Sequence, residues 1–301
     1  MDNDSKLKKK LVGEYRKLRQ KLDYKGMNLL SEGAGNELIR QKLEADKPFM
    51  VGRFGAVEMH CVSRWMNGQE CTEAEKEQAL YAAGIFPNDQ ETINRFCEVY
   101  ADAIRGCDVL GVWEVAGEKT AIQKYCPQAT LIPSRSIEPY YFENPWAKAL
   151  EGMKLLVVHP FTETIKQQFE KRALLFPEGG VLPEQLDLRT VKAVQSNAGN
   201  EPGFDSWFDA LDFMKSEIEK VDFDVAIIGA GAYGLPLTAY CKSLGKKAIQ
   251  MSGATQILFG IKGKRWDSHP VISTFYNEYW VRPSSAETPP LIDRVEGGSY
   301  W

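Results

Sequence analysis

The sequence predicts an α/β protein: a mostly parallel sheet flanked by helices, Rossmann-like, with an N-terminal helical extension. Three observations predict it. Short apolar runs alternate with helical patterns along the chain, as parallel strands joined by helical crossovers require. One run, Val225-Ala226-Ile227-Ile228, passes through Gly229, Gly231 and Gly234 into a helical pattern, a strand–turn–helix unit. The 301 residues, 44% of them hydrophobic and 26% charged, supply ample material for a buried core.

Residues 5–22 read as a basic amphipathic helix. Leu7, Leu11, Tyr15, Leu18 and Leu22 recur on one face, and Lys8, Lys9, Lys10, Arg16, Lys17, Arg19 and Lys21 surround it. Docking on the body with a solvated basic face and contact with an anionic membrane surface are both open to such a helix. A helix over 36–45 completes an extension spanning 1–45. Residues 49–53 form a strand, followed by a helix over 57–66. Thr72 and Glu75 make a capping box for a helix reaching Ala83, and a further helix covers 90–105. Strands are expected at 108–113, 129–132, 155–159 and 191–195. A helix at 206–220 leads into the glycine-loop strand, a helix at 235–244 follows it, and 247–250 is the last strand. The α/β domain thus spans 46–282. The tail, 283–301, is rich in Ser, Pro and Glu and is expected to pack on the body through Tyr300 and Trp301.

A net charge of −4 gives no general nucleic-acid-binding surface, so a basic site must be local. No run is long enough to cross a bilayer, and Met1 opens into charged residues rather than a signal peptide. The expectation is a cytoplasmic protein, with peripheral membrane contact through 5–22 as its one link to a bilayer. Cys61, Cys71, Cys97, Cys107, Cys126 and Cys241 lack C-x-x-C spacing and fall in apolar surroundings, which reads as buried free thiols. Three histidines make a His-rich metal centre improbable.

The Gly229-x-Gly231-x-x-Gly234 spacing suits a tight turn, close backbone approach to a ligand and an anion at the following helix start. A dinucleotide site would carry an acidic residue at the end of the next strand to hold the ribose. Here that strand runs into Met251, Ser252 and Gly253. A phosphate-bearing ligand of another kind, or a purely structural turn, is therefore favoured over NAD or FAD. Ligands of open α/β sheets bind beyond the carboxyl ends of the strands, which gathers three more segments. Arg53 offers a planar fork for phosphate, with Gly55 and Glu58 beside it; a salt bridge between Arg53 and Glu58 is the alternative. His159 closes an apolar strand, as a base, a hydroxyl contact or a structural residue. Residues 252–266 bring Gly253, Gln256, Lys262, Lys264, Arg265 and Trp266 beside the glycine loop. There the cations suit a diphosphate and Trp266 could stack on a base or sugar, or lie in the core as part of a solvated basic turn. No G-x-S-x-G elbow and no P-loop is present.

Arg53-Phe54-Gly55-x-x-Glu58 resembles the Arg-Phe-Gly-Asp-Gly-Glu motif of the GT-D-fold glycosyltransferases, bacterial enzymes that move sugars from nucleotide donors. The strand–Gly-x-Gly–helix unit and residues 253–266 also look like the C-terminal part of that family and an uncharacterised bacterial subgroup. The resemblance runs in order over roughly 47–270. It implies a glycosyltransferase using a nucleoside-diphosphate sugar, expected to be a UDP-sugar, with a glycan or glycoprotein acceptor in surface polysaccharide or glycoprotein assembly. Taken with the residues above, this reading gives catalytic roles to Glu58 and, as the weaker candidate, His159, and nucleotide contacts to Arg53, Gly55, the three loop glycines, Gly253, Gln256, Lys262, Lys264, Arg265 and Trp266. The family's Asp-x-Glu pair engages Mn²⁺ or Mg²⁺. Ala56 stands where that Asp belongs, which leaves a metal site at Glu58 doubtful and keeps open a non-catalytic sugar-nucleotide-binding protein. An NAD(P)-linked oxidoreductase is the reading from the glycine loop alone.

Overall fold

A computed structural model describes residues 24–176, 180–197, 200–289 and 297–301; the expected helix at 5–22 lies outside them. Strands β1 (Phe49–Arg53), β2 (Val109–Val112), β3 (Thr130–Pro133), β4 (Lys154–His159), β5 (Asp187–Lys192), β6 (Val225–Ile228) and β7 (Lys247–Gln250) form one sheet in the order β3-β2-β1-β7-β6-β4-β5. Every neighbouring pair is parallel.

The helices are α1 (Glu32–Glu44), α2 (Ala56–Met66), α3 (Glu73–Gln78), α4 (Gln90–Arg105), α5 (Glu118–Tyr125), α6 (Thr162–Phe169), α7 (Trp207–Glu219), α8 (Gly234–Ser243) and α9 (Thr255–Leu258). The expected capping box starts α3: Thr72 accepts the Glu75 N–H, and Glu75 accepts the Thr72 N–H. All six cysteines are buried free thiols.

Period-two alternation makes the sheet the partition between two cores. Leu156, Val158, Ala226 and Ile228 face one side; Leu155, Val157, Val225 and Ile227 face the other. Helices α2, α4, α5, α7 and α8 cover the first face, and α1, α6 and α9 the second. A consequence follows at the carboxyl edge. The chain leaving β1 and β6 turns to the first face, while the chain leaving β4 and β7 turns to the second. Successive strand ends from β1 through β7 and β6 to β4 therefore leave to alternate faces, opening crevices between each neighbouring pair, the places where open α/β sheets take ligands.

One strand differs from expectation. β5 covers Asp187–Lys192, not 191–195. It is an edge strand paired only with β4, and its Asp, Arg and Lys side chains reach solvent. Such a strand lacks the continuous apolar run of a buried parallel one.

The tail is fastened by Glu287, which the sequence reading did not single out. Its buried carboxylate accepts the Glu163 N–H at 2.8 Å, the Thr164 N–H, the Thr164 hydroxyl and the Ser284 hydroxyl at 2.9 Å. A negative charge thus satisfies free N–H groups at the start of α6. Trp301 Nε1 donates to the Glu287 carbonyl at 3.2 Å, so the same anchor holds the chain's aromatic end.

Candidate functional site

A cleft runs along the carboxyl edge of the sheet, from Trp113 beyond β2 to Asn197 beyond β5. Of the residues selected from sequence, Arg53, Gly55, Glu58, His159, Gly229, Gly231, Gly253, Gln256 and Arg265 line it. Gly234, Lys262, Lys264 and Trp266 do not.

Arg53 ends β1 with its N–H donating to Gln250 Oε1 at 3.0 Å. Gln250 closes β7, where a dinucleotide site would have its ribose carboxylate, and is spent on joining the two strand ends. The Arg53 guanidinium lies 4.5 Å from the Trp113 ring centre and 4.0 Å from Glu138 Oε1. Its ion-pair partner is therefore Glu138, a correction to the Arg53–Glu58 alternative. Burial pushes the Glu138 carboxyl up, while Arg53, the Tyr140 hydroxyl hydrogen bond, Arg135 and Arg265 hold it down. Both cleft arginines thus stand near one carboxylate. Trp113 is placed by Glu118, whose buried carboxylate accepts the Trp113 N–H at 3.0 Å, the Glu114 N–H at 2.7 Å and the Tyr24 hydroxyl at 2.6 Å.

Glu58 sits in the first turn of α2 and folds back over the cap residue: a Cβ on Gly55 would stand 2.0 Å from Glu58 Oε2. Gly55 is needed for that approach. Among the described residues lining the cleft, Glu58 is the one carboxylate. No group of three or more His, Cys, Asp or Glu able to hold a metal ion occurs among the described residues. A hard divalent cation wants several oxygen ligands, so the described residues do not by themselves fit a protein-held Mn²⁺ or Mg²⁺.

In the glycine loop, Gly229 lies where β6, His159 and the 252–255 turn converge. A Cβ there would meet His159 Cδ2 at 2.6 Å and the Ser252 carbonyl at 2.7 Å. Gly231 has φ +53° and open space around its missing Cβ, so the backbone faces the cleft unshielded. Gly234 instead lets α8 pack on Gln250. Helix α8 starts without a side-chain cap.

His159 is buried, and burial pulls its pKa down to about 3. Nδ1 accepts the Phe161 N–H at 3.0 Å, which leaves the proton of the neutral ring on Nε2. This corrects the base assignment: the ring can donate to a ligand but has no free basic nitrogen. A test follows. The unfolded ring takes a proton near pH 6.5 and the folded ring only near 3, so stability falls as pH drops through that window, by roughly 1.4 kcal/mol per pH unit. His159→Gln should remove that slope in urea unfolding between pH 6.5 and 4; parallel pH profiles for the two proteins would contradict it.

The 252–266 segment divides its groups. Arg265 reaches the cleft, its guanidinium 4.9 Å from the Tyr300 ring centre. The Lys262 ammonium lies 5.2 Å from the Tyr276 ring centre, and Lys264 donates to the Gly297 carbonyl. Trp266 is buried, edge-on to Tyr300 at 6.0 Å. The expected stacking surface is instead supplied by half-buried Trp113, Tyr300 and Trp301. Gly253 makes room for the Tyr300 ring, and Gln256 Nε2 donates to the Tyr300 carbonyl at 3.0 Å. These two therefore seat the tail that walls the cleft.

No family model matches the sequence, and no curated protein matches it either. Among solved structures the chain is similar to a new glycosyltransferase from Streptococcus sanguinis. The TM-score is 0.45 at 12% identity, over 86% of this chain and 96% of that one. A selenomethionine-substituted structure of domain of unknown function 1792 is similar with a TM-score of 0.46 at 12% identity, over 87% and 92% of the two chains.

Proposed function

We propose that this chain is a glycosyltransferase that uses a nucleoside-diphosphate sugar, with a UDP-sugar as the expected donor. The acceptor would be a glycan or glycoprotein in surface polysaccharide or glycoprotein assembly. One observation carries the reading: Arg53 and Arg265, far apart in sequence, both line the carboxyl-edge cleft and both hold down Glu138, Arg53 over the Trp113 ring and Arg265 over the Tyr300 ring. A diphosphate needs the cations, and a nucleobase or sugar face needs a flat ring. The Arg53-Phe54-Gly55-x-x-Glu58 motif and the Gly231 backbone in the cleft support it further.

The chemistry follows from charge. As the bond between the anomeric carbon and the diphosphate oxygen breaks, its electrons leave with the diphosphate, and the two guanidiniums stabilise the growing negative charge. The acceptor hydroxyl oxygen forms the new bond, and Glu58 takes its proton. His159 donates through Nε2 to a substrate oxygen. No step is assigned to a metal, because the carboxylate set does not fit one.

Calorimetry with UDP, with and without Mn²⁺, tests this. Binding at micromolar to millimolar concentration without a need for Mn²⁺ is expected; no binding of any nucleoside diphosphate at millimolar concentration would overturn it. Ala56 favours one second reading, a sugar-nucleotide-binding protein without turnover. UDP-sugar binding without transfer or hydrolysis would identify it.

A further inference from the structure

The cleft is electrically lopsided. Its charged lining residues among those described, Arg53, Glu58 and Arg265, all end or follow β1 or β7. Toward the other edge, beyond β6 and β5, the described lining side chains are uncharged: Gln195, Ser196, Asn197 and Tyr233, with Ala82 and Ala83 as an apolar rim. Four strand spacings separate β1 from β5, roughly 19 Å at about 4.8 Å each.

The neutral end is a built surface. The Ser196 hydroxyl donates to the Gly84 carbonyl at 2.7 Å and lies 2.8 Å from the Tyr233 hydroxyl. Tyr233 stacks on buried Trp207, with ring centres 4.8 Å apart and planes at 5°. Gly84, at φ +72°, admits the 196–197 loop so closely that a Cβ would stand 2.5 Å from Ser196 Oγ. Asn197 Oδ1 is buried with no hydrogen-bond partner among the described residues. A buried carbonyl oxygen without a donor is costly unless something supplies one.

Cations and half-buried rings mark the β1/β7 end for the nucleoside diphosphate. What is left at the β5 end suits a molecule that offers many hydroxyls and no charge. We propose that the β5 end, built on Ser196, Asn197 and Tyr233, is an acceptor subsite that takes a neutral sugar ring farther along the glycan than the hydroxyl that reacts beside Glu58. Asn197 Oδ1 accepts one of its hydroxyl protons. A uronic acid or other anionic sugar gains nothing from the described residues there, because its carboxylate meets no cation among them. The inference rests on the nucleotide-sugar reading for the other end of the cleft.

Saturation-transfer NMR on the full chain with methyl β-glucoside, and separately with glucuronate, reads this end; calorimetry with UDP reads the other. Wild type should give transfer to the glucoside at millimolar concentration and weaker transfer to glucuronate. Asn197→Ala should lower glucoside transfer about fivefold, the loss of one hydrogen bond, and leave the UDP Kd within about twofold. Glucoside transfer should persist under saturating UDP in wild type, a result that needs no variant to fold. An unchanged glucoside signal in Asn197→Ala, glucuronate exceeding glucoside, displacement of glucoside by UDP, or a UDP Kd lost with Asn197 would each overturn the assignment. Failure of wild type to bind UDP would instead sink the donor reading, whatever the glucoside does.

Discussion

Arg53→Ala weakens UDP binding by roughly 10- to 100-fold, the value of one or two charge-assisted hydrogen bonds to a diphosphate. Arg265→Ala does the same. Lys262→Ala and Lys264→Ala leave binding within about twofold, since their ammonium groups lie by Tyr276 and the Gly297 carbonyl rather than in the cleft. The contrast is informative because all four are cations that sequence alone makes equivalent candidates. Arg53→Lys is the finer control. It keeps the charge beside Glu138 but loses the planar fork that lies against Trp113, so intermediate binding is expected. Arg53→Ala should still fold, because Glu138, already pushed up by burial, can take a proton once its cation is gone. Titration calorimetry of the four alanine variants checks the pattern; equal losses at all four positions would contradict it.

Glu287→Ala lowers unfolding stability by about 3 kcal/mol, since it leaves buried N–H and hydroxyl donors at the start of α6 without their acceptor. Glu287→Gln costs less, because one carbonyl oxygen remains to accept while the charge facing the helix start is lost. Urea unfolding measures both. Because the Trp301 indole hangs on the Glu287 backbone and its ring lies 6.0 Å from Phe161, Glu287→Ala should also loosen the aromatic wall of the cleft. A change below about 1 kcal/mol would show that the tail is held by its rings alone, at the value of aromatic pairs.

These residues also mark where the sequence is readable. β1, β6 and β7, the capping box of α3 and the span of α4 follow from local periodicity and cap chemistry, and the structure bears them out. The carboxyl-edge rule brought Arg53, Glu58, His159, Gly229 and Arg265 into one cleft before any contact was known. What escaped was long-range. Glu287 meets α6 across more than a hundred residues, Glu118 collects Tyr24 from the far end of the chain, and Gln250 joins Arg53 between strands whose adjacency no local pattern encodes. The strand order that creates that adjacency is equally invisible to periodicity. Side-chain direction was lost too. A basic, glycine-rich turn announces its charge, but only the folded turn decides that Arg265 enters the cleft while Lys262 and Lys264 leave it. Trp266 takes its core alternative and Tyr300 the wall of the cleft for the same reason: Gly253 has no Cβ, and the tail's ring fills the space.

The central claim is that Arg53 and Arg265 together grip the diphosphate of a nucleotide sugar. A crystal structure of the full chain soaked with UDP tests it most directly. The account predicts the diphosphate between the two guanidinium groups, over the Gly231 backbone, with the uracil ring against Trp113 or Tyr300. A diphosphate seated away from both arginines, or no ordered nucleotide at saturating concentration, would contradict it.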